Sequence, residues 1–310
     1  MKIAIIGTGG VGGYFGGKLS QAGHDLTFLA RGEHLKAIQS NGLIVKSILG
    51  DFIAKPVKAT DQIKNIGKSD LVILGIKAWQ VKDIGLELPQ IMDNQTVILP
   101  LQNGVLAAEE LKELVNPKHV IAGLCRIISK IDAPGIINHM GVTPTIVLGE
   151  LDNAKTDRIR KISDVFTQAG INNRIADDIE AELWRKFISI CVSGLMAITR
   201  STYGEILDVK ETRQLMFDLL NEIYTLSQKM GIKIESDFVE KTVSYIQGFA
   251  HNMTSSLARD VWEGKPSEIE YQNGTVVKLA EKYGVATPIN KFIYDCILPM
   301  EKRAREMAKK

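Results

Sequence analysis

Lys2-Ile3-Ala4-Ile5-Ile6 runs directly into Gly7-Thr8-Gly9-Gly10-Val11-Gly12 near the head of the chain. An apolar run of strand length, then G-x-G-x-x-G, then a helical pattern over residues 12–22 read together as a strand, a phosphate-binding turn and a helix. In such a turn Gly7 permits the tight bend and Gly9 lets the backbone approach a pyrophosphate. Gly12 lets helix and strand pack closely, and the helix N-terminus offers unpaired N–H groups to phosphate oxygens. Gly7, Thr8, Gly9, Gly10, Val11 and Gly12 are therefore candidate cofactor-binding residues, and the cofactor class is a dinucleotide.

The next apolar run, residues 25–30, reads as a second strand and ends Leu29-Ala30-Arg31. Sites for NAD usually carry Asp or Glu here to hold the ribose 2′-hydroxyl. A carboxylate would repel a 2′-phosphate, whereas a guanidinium pairs with one through its planar fork, so Arg31 points to NADP(H). Lys77, at the end of the apolar run 71–76, stands where carboxyl strand ends face a ligand and adds positive charge.

Further along, runs 96–101 and 120–124 read as buried parallel strands, and 145–148 as one that closes or edges the sheet. From about Asp177 a 3.6-residue period takes over. The expected fold class is α/β: an N-terminal Rossmann-type parallel-sheet domain over residues 1–176, followed by an all-helical domain over 177–310. Ser267 with Glu270 reads as a capping box, Thr287-Pro288 as a cap before a proline at the first helical position, and Gly284 as the end of the helix between them. The charge-free run 187–199 reads as one buried helix, being well short of the roughly 20 residues that span hydrocarbon.

The balance of charge excludes other classes. With 38 Lys and Arg against 36 Asp and Glu, the chain has no broad field for gripping nucleic acid or an anionic membrane, and neither is an expected partner. The N-terminus carries no apolar core of signal-peptide length. Cys125, Cys191 and Cys296 are too scattered for a disulfide framework, and a reducing cytoplasm is expected. His24, His34, His119, His139 and His251 show no metal-ligand spacing, so no metal is expected. Cys125 has no nearby His in sequence, and Cys191 and Cys296 lie in apolar helical runs where an inert buried thiol is the usual role.

Several ordered segments make the chain resemble the ketopantoate reductase (2-dehydropantoate 2-reductase) family over nearly its whole length. They are the glycine loop with Arg31, Lys77-Ala78-Trp79-Gln80, Gln102-Asn103-Gly104, Trp184-Arg185-Lys186, Ser255-Ser256-Leu257, and Ser267-Glu268-Ile269-Glu270-Tyr271 with Asn273-Gly274. The resemblance implies a dinucleotide-binding domain followed by a helical one, with substrate held in the cleft between them, and a place in pantothenate biosynthesis. It implies NADPH-dependent reduction of ketopantoate to pantoate, with Lys186 as the catalytic residue at the start of a long helix. That chemistry is sensible: hydride arriving at the C2 carbonyl of a 2-oxo acid leaves negative charge on oxygen, which an ammonium group stabilises and then protonates. Through the same resemblance Glu268 contacts substrate and the nicotinamide end, Ser256 helps hold substrate, Asn103 lies beside the nicotinamide ribose and substrate, and Ser129 touches the cofactor through its backbone. A homodimer stays open as the assembly.

One departure bears on the substrate. The family commonly places two asparagines four residues apart after the lysine; here the positions counted forward from Lys186 are Ile190 and Gly194, and those counted back from Ala197-Ile198 are Ser189 and Ser193. On one continuous helix both serines fall within about 60° of Lys186 and become candidate substrate contacts. A later family asparagine is replaced by Tyr203. A broader 2-oxo acid reductase, that is a 2-hydroxy acid dehydrogenase, is therefore the alternative, and an NADP-binding sensor protein is the non-enzyme alternative.

Overall fold

In a computed structural model, which describes residues 1–55 and 57–308, the first part of the chain follows a strand–helix alternation. Its elements are β1 (Lys2–Ile6), α1 (Gly10–Gln21), β2 (Asp25–Leu29), α2 (Gly32–Asn41), β3 (Leu43–Ser47), β4 (Phe52–Ala54), β5 (Lys58–Thr60), β6 (Leu71–Leu74), α3 (Val81–Glu87), β7 (Val97–Pro100), α4 (Ala107–Lys112), β8 (Ala122–Ala133), β9 (Ile136–Gly149), α5 (Asp157–Gln168) and β10 (Asn172–Ile175). β5, β2, β1, β6 and β7 form an all-parallel sheet in that order. β6 and β7 are buried throughout, as near-continuous Val, Ile and Leu require of strands covered on both faces. The chain turns outward in opposite directions from β1, so the crevice at the carboxyl ends of β1 and β6 is the topological switch point of the sheet.

A second sheet was not legible in the amino-acid pattern. It runs β10-β9-β3-β4, with β8 pairing β9 antiparallel. The run 145–148 therefore does not close or edge the first sheet: it is the end of β9, hydrogen-bonded to β10 on one side and β8 on the other. Length is the reason, because β9 extends from Ile136 and its middle residues are too polar to read as a buried strand.

Helix α1 lies between the two sheets, and this explains its composition. A Cβ at Gly16 would stand 2.6 Å from the Phe28 ring and 2.8 Å from Ile5 of the first sheet, and one at Gly13 2.6 Å from Ile137 of the second. Glycine inside a helix costs about 1 kcal/mol relative to alanine. Burial of Phe15, Leu19, Ile5 and Phe28, all at 0% exposure, outweighs that at roughly 1.5–3 kcal/mol per large apolar side chain.

The second part of the chain consists of α6 (Ile179–Ile190), α7 (Val192–Thr199), α8 (Tyr203–Asp208), α9 (Lys210–Lys229), α10 (Phe238–Gln247), α11 (Ser256–Trp262), α12 (Asn273–Tyr283) and α13 (Pro288–Met307). Two compact units result: residues 1–102 with 106–182, and residues 103–105 with 183–310. The division falls inside α6, past the change of periodicity at Asp177. Among the described residues no helix is long and apolar enough to cross a membrane.

Several local expectations are corrected here. The run 187–199 is not one helix, because the chain breaks at Cys191 and restarts as α7. Ser267 and Glu270 do not form a capping box: Ser267 Oγ donates to Glu301, and Glu270 bonds Lys278 and Tyr294. Helix α12 starts only at Asn273. Pro288 does open α13, yet Thr287 makes no side-chain cap. Glu222 of α9 supplies it instead, accepting from the N–H groups of Ile289 at 2.8 Å and Asn290 at 3.0 Å, where a negative charge also meets the helix dipole favourably. Cys296 is exposed, whereas Cys125 and Cys191 are buried.

Candidate active site

The glycine loop joins β1 to α1 at the switch point. Gly7 has φ +94°, and a Cβ there would lie 2.6 Å from Ile76 Cγ2. A Cβ on Gly12 would fall 2.1 Å from the Gly7 carbonyl oxygen, and one on Gly75 2.9 Å from Gly12 N, so the end of β6 is packed directly onto the turn. Gly9 differs: it is the N-cap of α1 without a side-chain cap, and nothing lies within 4 Å of its Cβ position. The loop is thus tight against the sheet and open at Gly9, the position the motif assigns to a pyrophosphate.

Thr8 is buried, its Oγ1 donating to the Leu29 carbonyl at 2.9 Å, which ties the loop to the end of β2. His34, which motif reading passes over, completes the brace. Its Nδ1 accepts from Gly135 N–H at 2.9 Å, so Nε2 carries the proton and donates to the Thr8 carbonyl at 2.8 Å. Both partners are backbone atoms remote in sequence, and no residue pattern signals them. Desolvation pushes the His34 pKa below its ordinary value, against the smaller opposing effect of the Thr8 carbonyl.

Arg31 is the exposed N-cap of α2. With Leu29, Asp61, Gln62, Lys64 and Glu87 it lines a cavity of about 220 Å³ at the end of β2. Lys77 lies past the end of β6, at the head of a short 3₁₀ turn over Ala78–Gln80, its Nζ 5.8 Å from the centre of the Trp79 ring. Ser129, on β8, crowds Gly10: a Cβ there would be 2.4 Å from the Ser129 carbonyl oxygen. Among the buried polar atoms of this unit without a hydrogen-bond partner are Ser129 Oγ and Oε1 of Gln102, whose Nε2 donates to the carbonyls of Leu74 and Ile76. An open Gly9, a positive helix end, Arg31 and these orphaned oxygens fit a dinucleotide phosphate and its hydroxyls. Among the described residues no group of three or more His, Cys, Asp or Glu is placed to hold a metal.

In the helical unit Lys186 is buried at 8% exposure. It is not at a helix start: α6 begins at Ile179, where the Asp178 carboxylate accepts from Ala181 N–H and caps the first turn. Ser189 Oγ donates to the Lys186 carbonyl at 2.7 Å. Ser193 lies in α7 beyond the break, so the one continuous helix expected to carry both serines is interrupted between them; its hydroxyl bonds Tyr203, whose pKa burial raises to about 12. No side chain fits at Gly194, since a Cβ would be 2.4 Å from Asn273 Oδ1 and 2.6 Å from Ile293. Burial also pushes the Cys191 thiol well up, which suits an inert role.

Ser255, not Ser256, caps α11 by accepting from Ala258 N–H, leaving Ser256 on the exposed first turn. Glu268 is buried at 5% exposure and Asn103 donates to its Oε2 at 3.1 Å across 165 residues of sequence. Gly104 makes the approach feasible, with φ +100° and a Cβ position only 2.8 Å from the Tyr271 carbonyl oxygen. Of the residues singled out from sequence, the structure joins the side chains of Asn103 and Glu268 and sets Ser129 against Gly10, while Ser189 bonds the Lys186 backbone within its own helix.

Comparison with known proteins covers nearly the whole chain. The family model described as ketopantoate reductase PanE/ApbA matches residues 3–153, and its C-terminal counterpart matches residues 178–301. A 2-dehydropantoate 2-reductase of Nostoc sp. is 32% identical, covering 98% of this chain and 96% of its own. An uncharacterized oxidoreductase of Bacillus subtilis, YkpB, is 29% identical, covering 95% and 97%. A PanE/ApbA family ketopantoate reductase structure from Ralstonia eutropha superposes with a TM-score of 0.91 at 28% identity, over 98% of this chain and 100% of its own. A D-mandelate dehydrogenase solved with NADH and anilino(oxo)acetate shares the fold, with a TM-score of 0.89 at 23% identity over 98% and 99% of the two chains.

Proposed function

The chain belongs to the ketopantoate reductase family, and from that premise we propose that it is an oxidoreductase that reduces the C2 carbonyl of a small branched 2-oxo acid with NADPH, ketopantoate first. When bound, the nicotinamide dinucleotide supplies the hydride. Gly9 and the α1 N-terminus bind its pyrophosphate, Arg31 pairs its 2′-phosphate, Lys77 adds positive charge, and Ser129 and Gln102 offer oxygens to its polar groups. Lys186 stabilises the negative charge that develops on the C2 oxygen and passes a proton to it. Glu268, held by Asn103, binds and orients the substrate, with Ser256 assisting.

The observation that carries this reading is Lys186 at 8% exposure within a chain matched by both family models. Most lysines keep their ammonium in water, and a lysine is buried where its charge is paired or put to use. A specific observation supports the broader reductase as a second reading: Gly194 leaves no room for a side-chain amide, and Ser193 is engaged by Tyr203. A site short of partners for a distal hydroxyl discriminates poorly for it. Steady-state rates with NADPH for ketopantoate and for 2-oxoisovalerate, which lacks that hydroxyl, decide between the two. Higher kcat/KM for ketopantoate supports the first reading and higher kcat/KM for 2-oxoisovalerate the second, while cofactor binding without turnover of any 2-oxo acid rejects both in favour of a sensor.

A further inference from the structure

Ser267, at 0% exposure, immediately precedes Glu268, and all of its polar groups are engaged by one turn of α13. Its N–H donates to Glu301 Oε2 at 2.9 Å and its Oγ donates to the same oxygen at 2.7 Å, while its carbonyl accepts from Arg305 Nη2 at 3.3 Å. Glu301 and Arg305 are themselves paired, Nε to Oε1 at 2.7 Å, one helical turn apart. On the other side the Glu268 carbonyl accepts from Tyr271 N–H at 3.0 Å, and the Glu268 carboxylate accepts from Asn103. The backbone carrying Glu268 is therefore gripped before and after the residue, and its side chain is aimed by a third contact.

The arrangement is costly if it serves packing alone. Glu301 is only 6% exposed, and a carboxylate at that depth loses several kcal/mol of hydration, which its pairing with Arg305 and Ser267 must offset. An apolar contact of similar volume would join α13 to this segment more simply. The charged cluster instead fixes direction, because the two Ser267 donors converge on one Glu301 oxygen, while the Arg305 guanidinium ion-pairs with the other and donates to the serine carbonyl.

We propose that Glu301 and Arg305 are positioning residues that set the Glu268 carboxylate for the reaction, an inference that rests on Glu268 meeting substrate as given above. Displacement of a reacting or binding group by about 1 Å can cost on the order of 10²-fold in rate. Glu301→Gln keeps an acceptor for Ser267 but loses the charge that holds Arg305. It should lower kcat/KM for the preferred 2-oxo acid about tenfold or more.

The test is a double-mutant cycle with Glu268→Gln, read alongside the thermal midpoint. If Glu301 acts through Glu268, Glu301→Gln changes kcat/KM by less than about twofold once Glu268→Gln is present. An equal loss in both backgrounds makes Glu301 a merely structural contact and overturns the proposal, as does unchanged kcat/KM in the single variant. Should Glu301→Gln not fold, Arg305→Lys, which retains the charge but not the fork, enters the same cycle with the same expectations. A Glu268→Gln enzyme of full activity would instead remove the reading of Glu268 beneath the proposal, and the proposal with it.

Discussion

Gly135 donates its backbone N–H to Nδ1 of His34 at 2.9 Å, a contact spanning 101 residues that joins the β8–β9 turn to the helix following Arg31. Because the opposite ring nitrogen donates to Thr8, one neutral tautomer ties the glycine loop to the β8–β9 turn. Protonating Nδ1 would set a donor against a donor.

Burial holds the His34 pKa below the usual value near 6.5. A depressed histidine pKa means the fold favours the neutral ring. The contribution to stability is therefore complete above the unfolded-state pKa and is lost as pH falls through the lower folded-state value. We expect NADPH affinity and the thermal midpoint both to decline below about pH 6.5, and His34→Gln to flatten that decline. His24 also has a lowered pKa, but it is unchanged in the variant, so the difference between the two profiles isolates His34. Superimposable profiles of fluorescence-measured affinity would reject the brace.

Two glycines of the loop and helix should separate binding from folding. Gly9→Ala meets nothing within 4 Å and should leave the thermal midpoint near its original value while raising the KM for NADPH about tenfold or more, because a methyl group fills the space a pyrophosphate needs. Gly16→Ala should do the reverse. Its Cβ would press on Phe28 and Ile5, and overpacking of that kind costs about 1–3 kcal/mol despite alanine's better helix propensity. Urea unfolding of the two variants beside cofactor titrations measures both effects; equal destabilisation would contradict the assignment of Gly9 to the open side.

Arg31 stands at the cavity that closes the end of β2. Removing its fork by Arg31→Ala should raise the KM for NADPH by about 10- to 100-fold, corresponding to a charge-assisted pair of roughly 1.5–3 kcal/mol, and change that for NADH little. Equal effects on the two cofactors would show that the guanidinium does not read the 2′-phosphate.

Lys186→Ala should cut turnover by about 10²-fold or more while NADPH still binds, since loss of a general acid affects the chemical step. Single-turnover NADPH absorbance with excess enzyme reads that step directly, and near-normal rates would remove Lys186 from the mechanism.

Much of the cofactor half was legible because its signals are local. A buried parallel strand announces itself by consecutive Ile, Leu and Val, and a phosphate turn by glycines at fixed spacing, so β1, α1, β2, β6 and β7 could be placed from the residues alone. The helical unit was legible as a change of period and at two helix ends, Gly284 closing α12 and Pro288 opening α13. Its break at Cys191 left no mark in an uninterrupted apolar run, and it put Ser193 on a different helix from Lys186. The apparent capping box at Ser267 has the right residues, yet a buried Glu301 competes for the serine hydroxyl and wins.

What the chain order alone determined, then, is wherever neighbouring residues make their own case: the strand, the glycine turn, the arginine at the end of β2 and the two-part organisation. Tertiary structure decided the second sheet around β9, the His34 brace, the Asn103–Glu268 contact and the grip of α13 on Ser267. Each of those depends on partners dozens of residues or more away, often backbone atoms whose chemistry is identical everywhere along the chain. Periodicity reports which face of an element is buried; it carries no information about what lies against that face.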